Sequence, residues 1–348
     1  MKKPIRLAAL TAAAVIALTG CASGSNAKTA GSSNGTTAGS SNETSTTFQK
    51  KDPLIIGYSA YDLQSPYWQA YAAGIKAEAD TSNGRVIVAD AKSSQQAQVS
   101  GSADLINQKI SALIISPVQP SSLPVSITAA HAAHIPVIIG DNGAVGNYDA
   151  YILSENKHGG ELAAQYIIDS FKGKPGPHKV GVMELETGKV VGDERVAGFT
   201  DTLKANSDFQ LVASLNAHNT VDGGFKVAKD MLSANPDLVA IYCADDPEAQ
   251  GASRALIASG KDPSSNFVLV GFNGDPPALD LIEQGKQTAT IAQDAYGQGK
   301  IAVQAALALL NGDDVGYTDA ATRTILFPVQ VVDSKNLAAF RSSLANRK

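Results

Sequence analysis

Short, almost wholly apolar runs recur along this chain, each followed by a stretch with helical spacing. Leu54–Ser59, Arg85–Asp90, Ala112–Ser116 and Pro136–Gly140 read as strands, with helices over about 66–79, 95–109 and 122–133 between them. Pro66 opens the first helix, a position where its missing N–H costs nothing. The rhythm resumes after Ser154. Helices over 156–171, 192–206, 222–234 and 246–259 alternate with strands over 178–183, 209–216, 238–243 and 267–271. A strand that is apolar without alternation is buried on both faces, as happens when helices cover a parallel sheet. Two such series predict an α/β chain of two similar, doubly wound parallel-sheet lobes.

A sheet of this kind takes its ligand outside the carboxyl ends of its strands. The residues that end the runs are Ser59, Asp90, Ser116, Asp141, Glu184, Asp245 and Asn273. At any one of these positions a polar residue also serves simply to stop a strand. Asp141, Asp245 and Asn273 together with nearby aromatics point instead to a convergent polar site.

The first residues have a different logic. Lys2, Lys3 and Arg6 precede an apolar run from Leu7 to Leu18, then Leu18-Thr19-Gly20-Cys21. The run is short of the roughly 20 apolar residues that span a bilayer. It has the basic head, apolar middle and small residues of an export signal. The four residues match the bacterial lipoprotein processing box, so cleavage before Cys21 and lipidation of its thiol are expected. An ordinary secretory signal cut nearby is the plainer alternative. Residues 22–50 are almost all Ser, Gly, Thr, Asn and Ala, with Phe48 the one aromatic. Such a composition cannot bury enough apolar surface to offset its ordering entropy, and a flexible tether is expected. The expected location is therefore outside the cytoplasm, held at the cell membrane.

Removing residues 1–20 takes away three basic groups and no acid, so the formal charge moves from −5 to −8. No run of Lys or Arg occurs in the body, which argues against nucleic acid as a partner. With Cys21 lipidated, Cys243 is alone in the apolar run Leu238–Cys243 and reads as a buried small hydrophobe. From residue 52 on there is no G-x-S-x-G elbow, no P-loop and no G-x-G-x-x-G after the first strand, so no cofactor is expected. His131 and His134 stand three apart on a helix, but their segment offers no further Cys, Asp or Glu, so no metal is expected either.

From about residue 53 to 332 the chain resembles the periplasmic sugar-binding proteins of ABC importers, the ribose-binding type. Tyr58-Ser59-Ala60-Tyr61 through Ser65-Pro66-Tyr67-Trp68 look like that family's first loop. Ile135–Asn142 matches its IPVI-x-x-D strand, Gly198-Phe199 a helix of the second lobe, and Ala244-Asp245-Asp246 with Gly251-Ala252 a turn. Val270–Gly274 matches the VGFDG strand end, and Ala289–Gln293 the TIAQ segment near the hinge.

The resemblance implies a type I periplasmic binding protein, with lobes joined by a three-strand hinge and no enzymatic activity. Its ligand-binding residues would be Ser59, Tyr61, Tyr67, Trp68, Asp141, Asn142, Asp193, Asp245, Phe272, Asn273 and Gln293. It implies capture of a small sugar or polyol and delivery to an ABC permease by a monomer. A sensor lipoprotein signalling to a membrane receptor, or a surface hydrolase, would be the alternatives. The family's arginine after Asp141 is Asn142 here, and a second falls near Asp193, with Arg195 expected on another face. An acidic cleft would suit a polyol, a hydroxyl-rich sugar or an amino sugar, and disfavour anionic ones. The expected boundaries are a signal over 1–20 and a tether over 21–52. The first lobe would take 53–153 plus 294–324, and the second 154–293 plus 325–340. Ile301, Ala305 and Leu309 give a late helix near 295–311 an apolar stripe.

Overall fold

Two six-stranded sheets of matching strand order carry the fold. The computed structural model describes residues 48–186, 189–345 and 347; the leader, Cys21 and the tether up to residue 47 lie outside them. The first sheet contains β1 (Ile55–Ala60), β2 (Arg85–Asp90), β3 (Ala112–Ile115), β4 (Val137–Gly140), β5 (Ala150–Ser154) and β11 (Thr324–Phe327), in the order β11-β5-β4-β3-β1-β2. The second contains β6 (His178–Glu184), β7 (Phe209–Asn216), β8 (Leu238–Cys243), β9 (Val268–Asn273), β10 (Ala289–Ala292) and β12 (Gln330–Asp333), in the order β12-β10-β9-β8-β6-β7. Every pairing is parallel except β10 with β12.

The helices are α1 (Pro66–Thr81), α2 (Gln95–Asn107), α3 (Leu123–Ala132), α4 (Asn156–Ser170), α5 (Val190–Lys204), α6 (Val221–Ala234), α7 (Asp246–Ala258), α8 (Pro276–Glu283), α9 (Ala295–Asn311) and α10 (Leu337–Ala345). Central strands β1, β3, β4 and β9 are buried over nearly all their residues, which is why they read as unbroken apolar runs. The edge strands β2 and β7 are half exposed and mix polar with apolar residues.

In each lobe two helices cross so closely that only glycine fits. A Cβ on Gly74 of α1 would stand 2.0 Å from the Tyr296 carbonyl oxygen of α9. A Cβ on Gly160 of α4 would stand 2.0 Å from the Arg195 carbonyl oxygen of α5. The second contact sets the height of the Arg195 turn over the lobe.

The chain passes between lobes three times: after Ser154, after Ala292, and between Phe327 and Gln330. The late helix α9 packs on α1 in the first lobe. Residues 325–327 differ from expectation. Thr324–Phe327 pairs with Tyr151–Ser154, so this segment belongs to the first sheet and the crossing to the second lobe follows it. The last residues of the expected tether also have fixed contacts. Phe48 packs against the first-lobe core, and Lys51 Nζ donates to the Ile110 carbonyl at 2.8 Å.

Candidate ligand-binding cleft

The carboxyl ends of both sheets face a cleft of about 510 Å³, within the usual range of small-molecule sites. The first lobe contributes an aromatic platform at the end of β1 and the start of α1. Tyr61 stacks on Trp68 with ring centroids 5.6 Å apart, and Tyr67 meets Trp68 edge-on at 4.8 Å. The Tyr67 hydroxyl donates to Asp141 Oδ2. Burial, then the Asp141 carboxylate, push the Tyr67 pKa well above the usual range, so it stays a neutral donor. Asp141 follows β4 in a left-handed turn with Asn142 and Gly143, at φ of 59°, 46° and 99°. Asp and Asn tolerate that region better than most side chains. The turn is held by the Asn142 N–H on Asp141 Oδ1 at 2.6 Å, and Asn142 Nδ2 donates to the Pro117 carbonyl at 3.2 Å.

The second lobe presents charge. Asp245 caps α7, its Oδ1 accepting from the Glu248 N–H at 3.0 Å. Asp275, two residues beyond β9, also lines the cleft. Both are more than nine-tenths buried. Burial, reinforced by the Asp275 charge, pushes Asp245 up to about 7 against the pull of the Glu248 N–H and Arg195. Burial likewise pushes Asp275 up to about 6. Behind them Asp246 holds the loop after β9, accepting from the N–H groups of Gly274 at 2.8 Å and Asp275 at 2.9 Å and from the Thr290 hydroxyl at 2.8 Å.

Arg195 is the buried cation of the cleft, 3% exposed. Its Nε donates to Asn156 Oδ1 at 2.8 Å and its NH1 to the Ala244 carbonyl at 3.0 Å, and its guanidinium lies 3.8 Å over the Phe272 ring. Among the described residues no carboxylate comes within ion-pair distance of it.

At the hinge, Ser154 Oγ donates to Gln293 Oε1 at 2.6 Å, and Gln293 Nε2 donates to Asn273 Oδ1 at 2.8 Å. Gln298 Nε2 donates to Ser154 Oγ at 2.8 Å, and its Oε1 lies 3.4 Å from the Tyr67 hydroxyl. A continuous polar chain therefore runs from Asn273 of the second lobe to Tyr67 of the first. Across the mouth, Lys189 Nζ donates to the Val118 carbonyl at 3.3 Å and sits 5.2 Å from the Tyr61 ring centre.

Of the expected site residues, Tyr61, Tyr67, Trp68, Asp141, Asn142, Asp245, Asn273 and Gln293 line the cleft. Ser59, Asp193 and Phe272 do not. Ser59 is fully buried and accepts from the Ser102 hydroxyl at 3.0 Å, bracing α2 against β1. Phe272 lies beneath Arg195; it precedes Asn273 on a strand, where successive side chains point to opposite faces. Asp193 is exposed, because α5 turns the face of Val191 and Arg195, four apart, to the cleft. Arg195, expected on another face, is thus a cleft residue. Asp275, Lys189, Glu186 and His218 also line the cleft without having been anticipated. Ser116 and Glu184 brace the lobes instead, Ser116 bonding Tyr58 at 3.0 Å and Glu184 accepting from Ser214. His131 has a carboxylate that its own segment lacks, Asp149 Oδ2 at 2.8 Å, but no cluster of three metal-ligating groups occurs among the described residues.

Residues 56–314 match the periplasmic binding protein domain family. The chain belongs to the type I periplasmic sugar-binding proteins of ABC importers. It is 34% identical over 272 residues to a ribose import binding protein of Bacillus subtilis, covering 78% of this chain and 86% of that one. It is 30% identical over 242 residues to a D-allose-binding periplasmic protein of Escherichia coli, covering 67% and 76%. The fold superposes on an ABC transporter solute binding protein of Bacillus halodurans with bound myo-inositol at a TM-score of 0.73 and 23% identity, covering 85% and 98%. These are binding proteins, and the family places this chain among them rather than among hydrolases.

Proposed function

We propose that this protein is a lipid-anchored, extracytoplasmic receptor that captures a small sugar or polyol between its lobes and delivers it to an ABC permease. The observation that carries the reading is the pairing of unsatisfied charges with an aromatic face. Arg195 and the carboxylates of Asp141, Asp245 and Asp275 share one cleft without ion-pairing to one another. A hydroxyl is the group that satisfies both kinds at once, accepting from the guanidinium and donating to a carboxylate. Tyr67 and Trp68 offer rings to the C–H face of a sugar. The ligand-binding set is then Tyr61, Tyr67, Trp68, Asp141, Asn142, Arg195, Asp245, Asn273, Asp275 and Gln293. The sugars named for its relatives, ribose and allose, have this chemistry.

A thermal-shift screen of pentoses, hexoses, polyols and amino sugars tests the reading. Stabilisation by one or a few of them is expected; stabilisation by anionic sugars alone would overturn it. Trp68 is the only tryptophan and lies in the cleft, so its fluorescence gives an independent titration. The anchor is tested separately. Cys21→Ser is expected to move the protein from the membrane fraction to the soluble one, and unchanged partitioning would rule out lipidation at Cys21. The monomer and permease readings are tested by the mass of the purified protein in solution and by loss of ligand uptake on deleting the permease.

A further inference from the structure

The buried charges of the cleft do not balance. Asp141, Asp245 and Asp275 are each at least nine-tenths buried, against the one guanidinium of Arg195. Two of the Arg195 donor positions are already spent on Asn156 and Ala244, both neutral. The oxygens of Asp141 each accept a bond, from Tyr67 and from the Asn142 N–H. Those of Asp245 and Asp275 are not both used. Asp245 Oδ2 and Asp275 Oδ1 accept no hydrogen bond among the described residues, and the remaining oxygen of Asp275 has only a long one, 3.4 Å from Asn273 Nδ2. The rest of the lining does not restore balance. Asp62 and Glu186 add negative charge, His218 is neutral unless protonated, and Lys189 is held at the mouth by Tyr61 and Val118.

We infer that the ligand carries the missing cation: an amino sugar or aminocyclitol whose ammonium sits between Asp245 and Asp275 while its ring lies on Trp68 and Tyr67. An ammonium has three donors and no acceptor, which suits two carboxylates with open oxygens better than a hydroxyl does. A hydroxyl donating to these carboxylates brings no charge of its own, whereas an ammonium sets an opposite charge against both of them. The inference rests on the sugar-binding reading above and narrows it.

The experiment compares matched ligands by calorimetry at pH 7, where the amino groups are mostly protonated: D-glucosamine with D-glucose and N-acetyl-D-glucosamine, D-galactosamine with D-galactose and N-acetyl-D-galactosamine, and an inosamine with myo-inositol. In at least one series the ammonium form should bind 10-fold or more tightly than the neutral parent, and acetylation should abolish the gain. Asp275→Asn should remove the preference for the ammonium form over its neutral parent, with an unliganded Tm showing that it folds. Lowering the pH to 5 should also shrink the preference, because burial makes Asp245 and Asp275 hold their protons as high as about 7 and about 6. Asp62, Asp141, Glu186, His218 and Lys189 face the same cleft. Binding of an ammonium ligand near pH 6.5 should release protons, seen as a dependence of the heat on buffer ionisation enthalpy. If a neutral sugar binds as tightly as its amino counterpart, or the preference survives Asp275→Asn, the inference falls and the sugar-binding reading stands. If no carbohydrate of any charge binds, the broader reading falls as well.

Discussion

The two lobes share a strand order, yet they bring different chemistry to the cleft. The first places rings there: Tyr61, Tyr67 and Trp68, packed on one another at the head of α1. The second lines the cleft with no Phe, Tyr or Trp among the described residues, and instead sets Arg195 on α5 and Asp245 and Asp275 just beyond β8 and β9. The same scaffold serves both because the strand ends fix where side chains arrive, not which ones. A ligand held this way meets one wall of rings with Asp141 beside them, and one wall built from charge. The wall of rings selects ring shape, and the charged wall selects the hydroxyl pattern and the charge.

Trp68→Ala attacks the first wall and should have the largest effect. Trp68 is 6% exposed and touches Tyr61, Tyr67 and Tyr71. Truncating such a residue costs about 3–5 kcal/mol in stability. Chemical denaturation should show that loss in the unliganded protein, together with weakened binding. Trp68→Phe should recover most of the stability. If Ala is tolerated within about 1 kcal/mol, the platform is not the packed unit described here.

Arg195→Lys attacks the second wall with no loss of formal charge. Lysine keeps a point charge but loses the planar fork that bonds Asn156 and Ala244 and lies over Phe272. A loss of about 2–3 kcal/mol in binding, or roughly 30- to 150-fold, is expected from hydrogen bonds to a charged group. Affinity equal to the parent would mean that Arg195 only props the lobe.

The charged wall also makes stability depend on pH. A carboxyl whose pKa is higher folded than unfolded binds its proton more tightly in the native state. Its contribution favours the fold at low pH and is lost as pH rises from about 4 through the folded value. For Asp275 and Asp245 that window closes at about 6 and about 7. The unliganded protein should therefore lose stability between about pH 4 and pH 7 from these two groups. Asp275→Asn removes one ionisation and should raise the stability at pH 8 by on the order of 1–3 kcal/mol, seen as a higher Tm, with little change at pH 4. A Tm that falls at pH 8 would show that the ionised carboxylate is stabilised by a partner.

Much of this division was legible in the sequence. Parallel strands buried on both faces print as unbroken apolar runs, and the residues ending those runs include Asp141, Asp245 and Asn273 of the cleft, although Ser59, Ser116 and Glu184 brace the lobes instead. Strand β5 escaped because it follows β4 with no helix between, which breaks the alternation that marks the other strands. Asp193 was expected from correspondence with a family, but helix phase decides direction. With α5 starting at Val190, Val191 and Arg195 share the inward face and Asp193 points away. That phase was readable from Val191, Arg195 and Phe199 at four-residue spacing. Asp275 carried no such signal, because it lies in a loop whose path is set by the distant Asp246 carboxylate.

The smallest expected effect concerns how the two walls stay together. Lys189, from the second lobe, reaches the first by one long hydrogen bond to Val118 and by its place over Tyr61. Both contacts lie at the mouth, where water competes. Lys189 is half-buried, and a cation on an aromatic face that still meets water is worth about 0.5–1 kcal/mol. Lys189→Ala should therefore weaken binding by only about 2- to 5-fold. The change should fall on dissociation, since the contact bridges the two lobes across the mouth and resists reopening. Stopped-flow Trp68 fluorescence separates the rates. A change confined to association would mean that Lys189 steers the ligand inward, and the contact across the mouth would then contribute nothing to holding the closed form.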